Sequence, residues 1–174
     1  MESAMEYFVK CVIYLCVLGI LSHIIGEAVP RRWIMPDRPP YVSWSWEKNG
    51  RVYEQLNIRA WKDKLPDMSR VMKRMVPKRL TAGASEEAVE RLIEETCIAE
   101  TTHVMLMLMS VICINIWPGR GGVIIALLFS TGNVPFIIVQ RYNRPKLKRL
   151  LEMMRRRKNK SGNAEAAAEV YVRA

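Results

Sequence analysis

The chain carries none of the short motifs that announce common soluble enzymes. It has no Gly-x-Ser-x-Gly elbow, no Walker phosphate loop and no Gly-x-Gly-x-x-Gly dinucleotide fingerprint. Cysteine is scarce as well. Cys11, Cys16 and Cys113 lie inside apolar stretches and Cys97 at the edge of one, and none shows Cys-x-x-Cys spacing. Neither a zinc site nor a disulfide framework is signalled, and the four read as small apolar side chains. Glu-x-x-His occurs once, at Glu100–His103, whereas a di-iron bundle needs two such motifs and further carboxylates. No metal is expected. The N-terminus begins with Glu2 and Glu6 instead of a basic segment, and the apolar stretch behind it, Tyr7–Val29, is long for a signal peptide. It reads as a retained transmembrane helix.

What is present is apolar sequence in blocks. Half of the 174 residues are hydrophobic, and the formal net charge is +10. Three apolar blocks alternate with basic ones, and each is close to the roughly 20 residues that cross a bilayer. The expected spans are about 7–29, 98–117 and 121–139. Pro118-Gly119-Arg120-Gly121-Gly122 between the last two predicts a tight reversal and an antiparallel hairpin. The expectation is an all-α integral membrane protein. It has a single membrane domain over 1–150, with a cytosolic loop over 30–97, and a basic, then low-complexity tail over 151–174, of which 161–174 should be frayed or disordered. Because the basic segments flank the spans, lipid headgroups or phosphorylated substrates are the expected counterions, not nucleic acid. The loop and tail are rich in Lys and Arg, the hairpin turn has only Arg120, and the N-terminus is acidic. The positive-inside rule then puts the N-terminus outside and the loop and C-terminus in the cytosol of a multi-pass cell-membrane protein.

The loop has its own signals. Pro36-Asp37-Arg38-Pro39-Pro40 resists helix formation and predicts turns or extended chain. Tyr41, Trp44 and Trp46 suit the headgroup layer. Met68, Val71, Met72, Met75 and Val76 recur at helical spacing among basic residues, predicting a short amphipathic helix on the bilayer surface or on the protein's own core. Ser85 followed by Glu86 and Glu87 is a helix start, and nothing from there to Trp117 breaks the helix.

Polar residues within apolar spans are costly and usually face a bundle interior. Helical spacing puts Thr96, Glu100 and His103 on one face at the cytosolic end of span two. Gln140, Arg141, Asn143 and Arg144 emerge from span three on the same side. Asn133 lies about two turns deeper, beside Pro135. Asn57, Arg59, Trp61 and Lys62 belong to the loop on that side. His23 and Glu27 form another i, i+4 pair in span one. Glu100 and His103 read either as a reactive pair or as a polar clamp between helices. Arg141 and Arg144 read as an anion site or as a topology anchor.

The run Asn133-Val134-Pro135-Phe136-Ile137-Ile138-Val139-Gln140-Arg141-Tyr142-Asn143-Arg144-Pro145 resembles the closing signature of the glycosyl-4,4'-diaponeurosporenoate acyltransferase family. Glu95-Thr96, Ala99-Glu100 and His103 resemble its second motif, and Arg59-x-Trp61-Lys62 its loop motif. The resemblance spans roughly residues 20–150. It implies a membrane enzyme that transfers a fatty acyl group to the sugar hydroxyl of a glycosylated carotenoid, late in staphyloxanthin biosynthesis. Its partners would be membrane lipids, the lipid-linked sugar acceptor and acyl-CoA or a similar acyl donor as co-substrate, with no bound cofactor.

Acyl transfer to a hydroxyl needs a base and donors for a developing oxyanion. His103 is the candidate base, and Glu100 or Glu95 would orient it. Asn133 and Arg141 are candidates to polarise the acyl carbonyl, and Arg59, Lys62 and Arg144 to hold the donor's phosphates. Trp61, Gln140 and Asn143 complete the expected substrate-binding set. No Ser or Cys is placed as a nucleophile, so direct transfer is expected. The rival readings are another small lipid transferase, such as a methyltransferase, and a non-enzymatic adaptor that binds anionic lipid.

Overall fold

The computed structural model describes residues 3–65 and 85–173, with side chains up to Lys160. The amphipathic stretch expected at 68–76 lies outside the described residues. Among them every regular element is an α-helix or a 3-10 turn. Three helical stretches are long and apolar enough to cross a membrane: Ala4–Ala28, Glu86–Ile116 and Arg120–Lys160. The chain is an all-α membrane protein.

Helix α1 (Ala4–Ala28) starts in a capping box. Glu6 N donates to Ser3 Oγ at 3.3 Å, and Ser3 N donates to Glu6 Oε2 at 2.9 Å. It is apolar around its circumference, with Ile13, Ile20 and Ile25 exposed, which suits a lipid surround. Its end is closed from outside the helix. Arg31 Nη1 donates to the carbonyls of Gly26, Glu27 and Val29 at 3.1, 3.3 and 2.6 Å, neutralising the negative end of the helix dipole.

Residues 30–65 form a compact loop of short turns. Three-residue or longer 3-10 turns span Arg31–Trp33, Ser45–Glu47, Arg51–Leu56 and Lys62–Lys64, with one turn of α2 at Ile58–Trp61. Pro36 to Tyr41 runs in turns, as its prolines dictate. Gly50 holds φ +84°, and a Cβ there would stand 3.3 Å from the Tyr142 carbonyl oxygen, so the loop backbone approaches the third span closely. Tyr53 and Ile58 bury themselves against Val139 and Tyr142 and fix the loop there.

Helix α3 (Glu86–Ser110) begins at Ser85, whose Oγ accepts from Ala88 N at 3.3 Å. The sequence predicts one helix through to Trp117; the structure interrupts it at Val111–Ile112 before a short α4 (Cys113–Ile116). Ser110 supplies the reason. Its Oγ bonds back to Met107 O at 2.7 Å and contacts Ser130 Oγ at 3.0 Å, and such back-bonding bends helices. After the turn, α5 (Arg120–Arg173) runs antiparallel to α3 and continues through Pro135 and Pro145. The tail expected to fray is helical to Arg173, consistent with its alanine-rich sequence, a strong helix former. Beyond the expected span, α5 still packs on the start of α3, with Leu151 against Val89 and Ile93.

Candidate active site between the second and third spans

The antiparallel pairing of α3 and α5 sets their polar residues against one another. On the hairpin-turn side of this set, His103 Nδ1 lies 2.8 Å from Asn133 Oδ1. Asn133 Nδ2 in turn donates to the Phe129 carbonyl at 2.8 Å. Phe136, one turn further along α5, stacks on the imidazole with ring centroids 4.6 Å apart and planes 15° apart. The helical i, i+3 spacing of Asn133 and Phe136 thus presents an amide and an aromatic ring to the same histidine.

One turn toward the expected cytosolic end lies a buried ion-pair cluster. Glu100 Oε1 accepts from Arg141 Nη1 and Oε2 from Arg144 Nη2, both at 2.6 Å. Arg144 is 2% exposed. Its Nε donates to Thr96 Oγ1, its Nη2 also to Thr96 O and its Nη1 to Tyr41 O, all at 2.9 Å. Arg141 grips Glu47 at two points, Nε to Oε1 at 2.5 Å and Nη2 to Oε2 at 2.8 Å. It reaches the loop carbonyls of Pro40 and Val42 as well. Two arginines and two glutamates therefore balance their charge out of water. Tyr53 OH and Trp44 N complete the Glu47 carboxylate. Burial pushes the Glu47 carboxyl up, but the hydrogen bonds from Arg141, Tyr53 and Trp44 outweigh it and hold it below the usual range. Burial, then the hydrogen bond to Glu47 and the charge of that carboxylate, raises the Tyr53 phenol.

The expected residues thus divide into groups. Glu100 sits one turn from His103, its two carboxylate oxygens bond the two arginines, and His103 Nδ1 meets Asn133. Glu95 pairs with Arg31 at 2.8 Å, tying α1 to α3. Gln140 is buried, at 3% exposure, on the same stretch of α5. Arg59 lies at the loop surface, where its Nε donates to Tyr142 OH at 3.3 Å and its Nη2 pairs with Glu54 at 2.8 Å. Lys62 pairs with Asp63 at 3.2 Å, and Trp61 Nε1 donates to Leu56 O at 2.9 Å. Asn143 is partly buried on α5. Among the described residues no three His, Cys, Asp or Glu side chains gather as metal ligands.

Reading the sequence missed Glu47, Arg31, Tyr41 and Tyr53. A charge count held a signal for the first. Arg141 and Arg144 both enter the mouth beside one acid, Glu100, so a second carboxylate is required to balance them. Tyr41, expected at the headgroups, spans the cluster. Its carbonyl accepts from Arg144, its ring carries the guanidinium at 5.4 Å, and its OH contacts Thr101 Oγ1 at 2.9 Å.

These features define an all-α integral membrane protein that gathers a histidine and a charge-balanced polar cluster between two of its spans. The family model for glycosyl-4,4'-diaponeurosporenoate acyltransferase matches residues 30–153. The chain belongs to that family and is an acyltransferase. It is 29% identical to the enzymes of that name from Staphylococcus aureus strains bovine RF122 / ET3-1 and USA300, over 89% of this chain and 96% of each relative. The Newman strain's enzyme is 28% identical over the same shares. No solved structure matches the chain. Every residue of the cluster from Glu47 to Arg144 falls inside the family match, and His23 and Glu27 fall outside it.

Proposed function

We propose that the chain transfers a fatty acyl group to the sugar hydroxyl of a glycosylated carotenoid, or of a similar glycolipid, at the cytosolic face of the membrane. Family membership supports the acyl transfer, and the names of the S. aureus relatives support the carotenoid glycoside. The observation that carries the site is the His103–Asn133 hydrogen bond, set one turn inside the Glu100–Arg141–Arg144 cluster. An imidazole at the edge of a span is suited to take a proton from a hydroxyl held at the interface.

In this reading the sugar oxygen attacks the acyl carbonyl carbon while its proton passes to His103. The carbonyl carbon–sulfur bond of a thioester donor such as acyl-CoA then breaks, and His103 returns the proton to the leaving sulfur. Glu100, Glu47, Arg141 and Arg144 hold the loop against α5 and keep the polar mouth rigid beside the reacting groups. Arg59 and Lys62, on the loop's outer side with Trp61, meet the donor's phosphates. Gln140 and Asn143, on the same stretch of α5, complete the substrate-binding set in this reading. The charge asymmetry of the chain supports an N-terminus outside and a C-terminus in the cytosol.

The test is ester formation in membranes containing the protein, a glycosylated carotenoid and an acyl-CoA, followed by mass spectrometry. The wild type should form the ester, and His103→Gln at equal membrane content should not. An active His103→Gln protein would remove the base from this scheme. Labelling of a Ser161→Cys probe from outside intact cells, in a background without native cysteines, would reverse the orientation.

A further inference from the structure

We infer that Asn133 is a positioning residue which holds His103 as the Nδ1–H tautomer, so that Nε2 is the atom that takes the hydroxyl proton. The inference rests on His103 as the base in the reading above. It assigns Asn133 to the histidine and not to the acyl carbonyl.

The argument runs through donors and acceptors. The Phe129 carbonyl can only accept, so the side of the Asn133 amide that faces it at 2.8 Å is the NH2. This fixes which way the amide points. The atom facing His103 is then Oδ1, also an acceptor only, at 2.8 Å from Nδ1. A hydrogen bond between them requires a proton on Nδ1. In the neutral ring the lone pair then resides on Nε2. Phe136 stacks on the ring at 4.6 Å and fixes its plane about the same axis. Asn133 itself is 7% exposed, so little competing water reaches the bond. An asparagine orienting a histidine in this way plays the part that the third group takes in Cys-His-Asn sites on unrelated folds.

The tautomer can be read without any activity. Protein labelled with 15N-histidine is placed in lipid nanodiscs at about pH 8, above the ordinary imidazole range. The His103 signals are assigned by their absence from His103→Gln. The wild type should show the protonated nitrogen at Nδ1. Asn133→Leu, which keeps the volume and loses the acceptor, should show a mixture of tautomers. Its kcat should fall on the order of a hundredfold, within the range of general base catalysis, with both KM values little changed. Asn133→Asp keeps an acceptor oxygen and should restore the Nδ1–H form and most of kcat. A wild type dominated by Nε2–H overturns the inference. So does an Asn133→Leu protein with unchanged kcat, as a purely structural clamp predicts. A shift in acceptor KM at constant kcat would place Asn133 on the substrate and overturn it too. The base reading fails separately, if His103→Gln turns over, since the shifts report the tautomer in either case.

Discussion

Glu47 and Arg141 meet in a two-point ion pair at 2.5 and 2.8 Å, although 94 residues separate them in the chain. The carboxylate comes from the loop and the guanidinium from α5, so this one contact docks the loop over the end of the α3–α5 hairpin. Glu47 is 1% exposed. A pair this dry stabilises little relative to an apolar replacement, but breaking it strands a charge.

Glu47→Gln should therefore destabilise the protein by about 3–5 kcal/mol, the usual cost of removing one partner from a buried pair. Thermal unfolding in detergent would show a lowered midpoint, and limited proteolysis would show earlier cleavage within residues 40–53. Replacing both partners, Glu47→Met with Arg141→Met, should be less damaging than Glu47→Gln alone, because no buried charge is left over. Equal damage from the single and double variants would mean that the pair does not anchor the loop.

The same carboxylate makes stability depend on pH, with a definite sign. Its pKa is held below that of a free glutamate, so its contribution is fully present above the unfolded value of about 4.3. It is lost as pH falls through the lowered native value. Thermal midpoints measured from about pH 6 down to about pH 3 should fall in the wild type. Glu47→Gln should start lower and fall less steeply over that window. Parallel curves would assign the acid sensitivity to other groups.

The spans and the hairpin were legible in the sequence because they rest on local properties. Uncharged length marks a membrane helix, and Pro118 to Gly122 marks a reversal whatever surrounds it. Ser85 announced its helix for the same local reason. The wiring of the site was less legible. Helical periodicity placed Glu100 and His103 on one face, but it does not rank partners that arrive from other elements. Arg141 and Arg144 both bring charge-assisted bonds to Glu100 from α5, one to each carboxylate oxygen. Glu47 stood among aromatic residues in a basic loop, and its burial depends on a contact that no local pattern encodes.

The hairpin should be intolerant of a methyl group at one glycine and indifferent to it at another. A Cβ on Gly122 would stand 2.4 Å from Cys113 O and 2.3 Å from Trp117 O, both of them backbone atoms. Gly122→Ala must push α4 and α5 apart, an overpacking cost of about 1–3 kcal/mol. A Cβ on Gly132 meets nothing within 4 Å. Gly132→Ala should be neutral or slightly stabilising, since alanine favours the helix. Melting both variants in the same detergent tests the close approach, and a destabilised Gly132→Ala with an unaffected Gly122→Ala would contradict the packing described here.

The last prediction separates two arginines that the sequence presents as equivalent anion sites. The Arg59 side chain is 71% exposed at the loop surface, whereas that of Arg144 is 2% exposed. If the donor's phosphates meet the outer cations, Arg59→Ala should raise the donor's KM on the order of tenfold, as loss of a charge-assisted contact does. It should leave the acceptor's KM and the melting temperature nearly unchanged, because an exposed ion pair to Glu54 adds little stability. Arg144→Ala should act through folding, leaving Glu100 with Arg141 alone and Thr96 and the Tyr41 carbonyl without their donor. Less protein should insert, and what does insert should keep both KM values. Arg144→Lys should rescue only in part, since an ammonium cannot span Thr96, Tyr41 and Glu100 in one plane. Both KM values measured on matched amounts of inserted protein decide the question. A donor KM that rises with Arg144→Ala and not with Arg59→Ala would move phosphate recognition from the loop surface into the buried cluster.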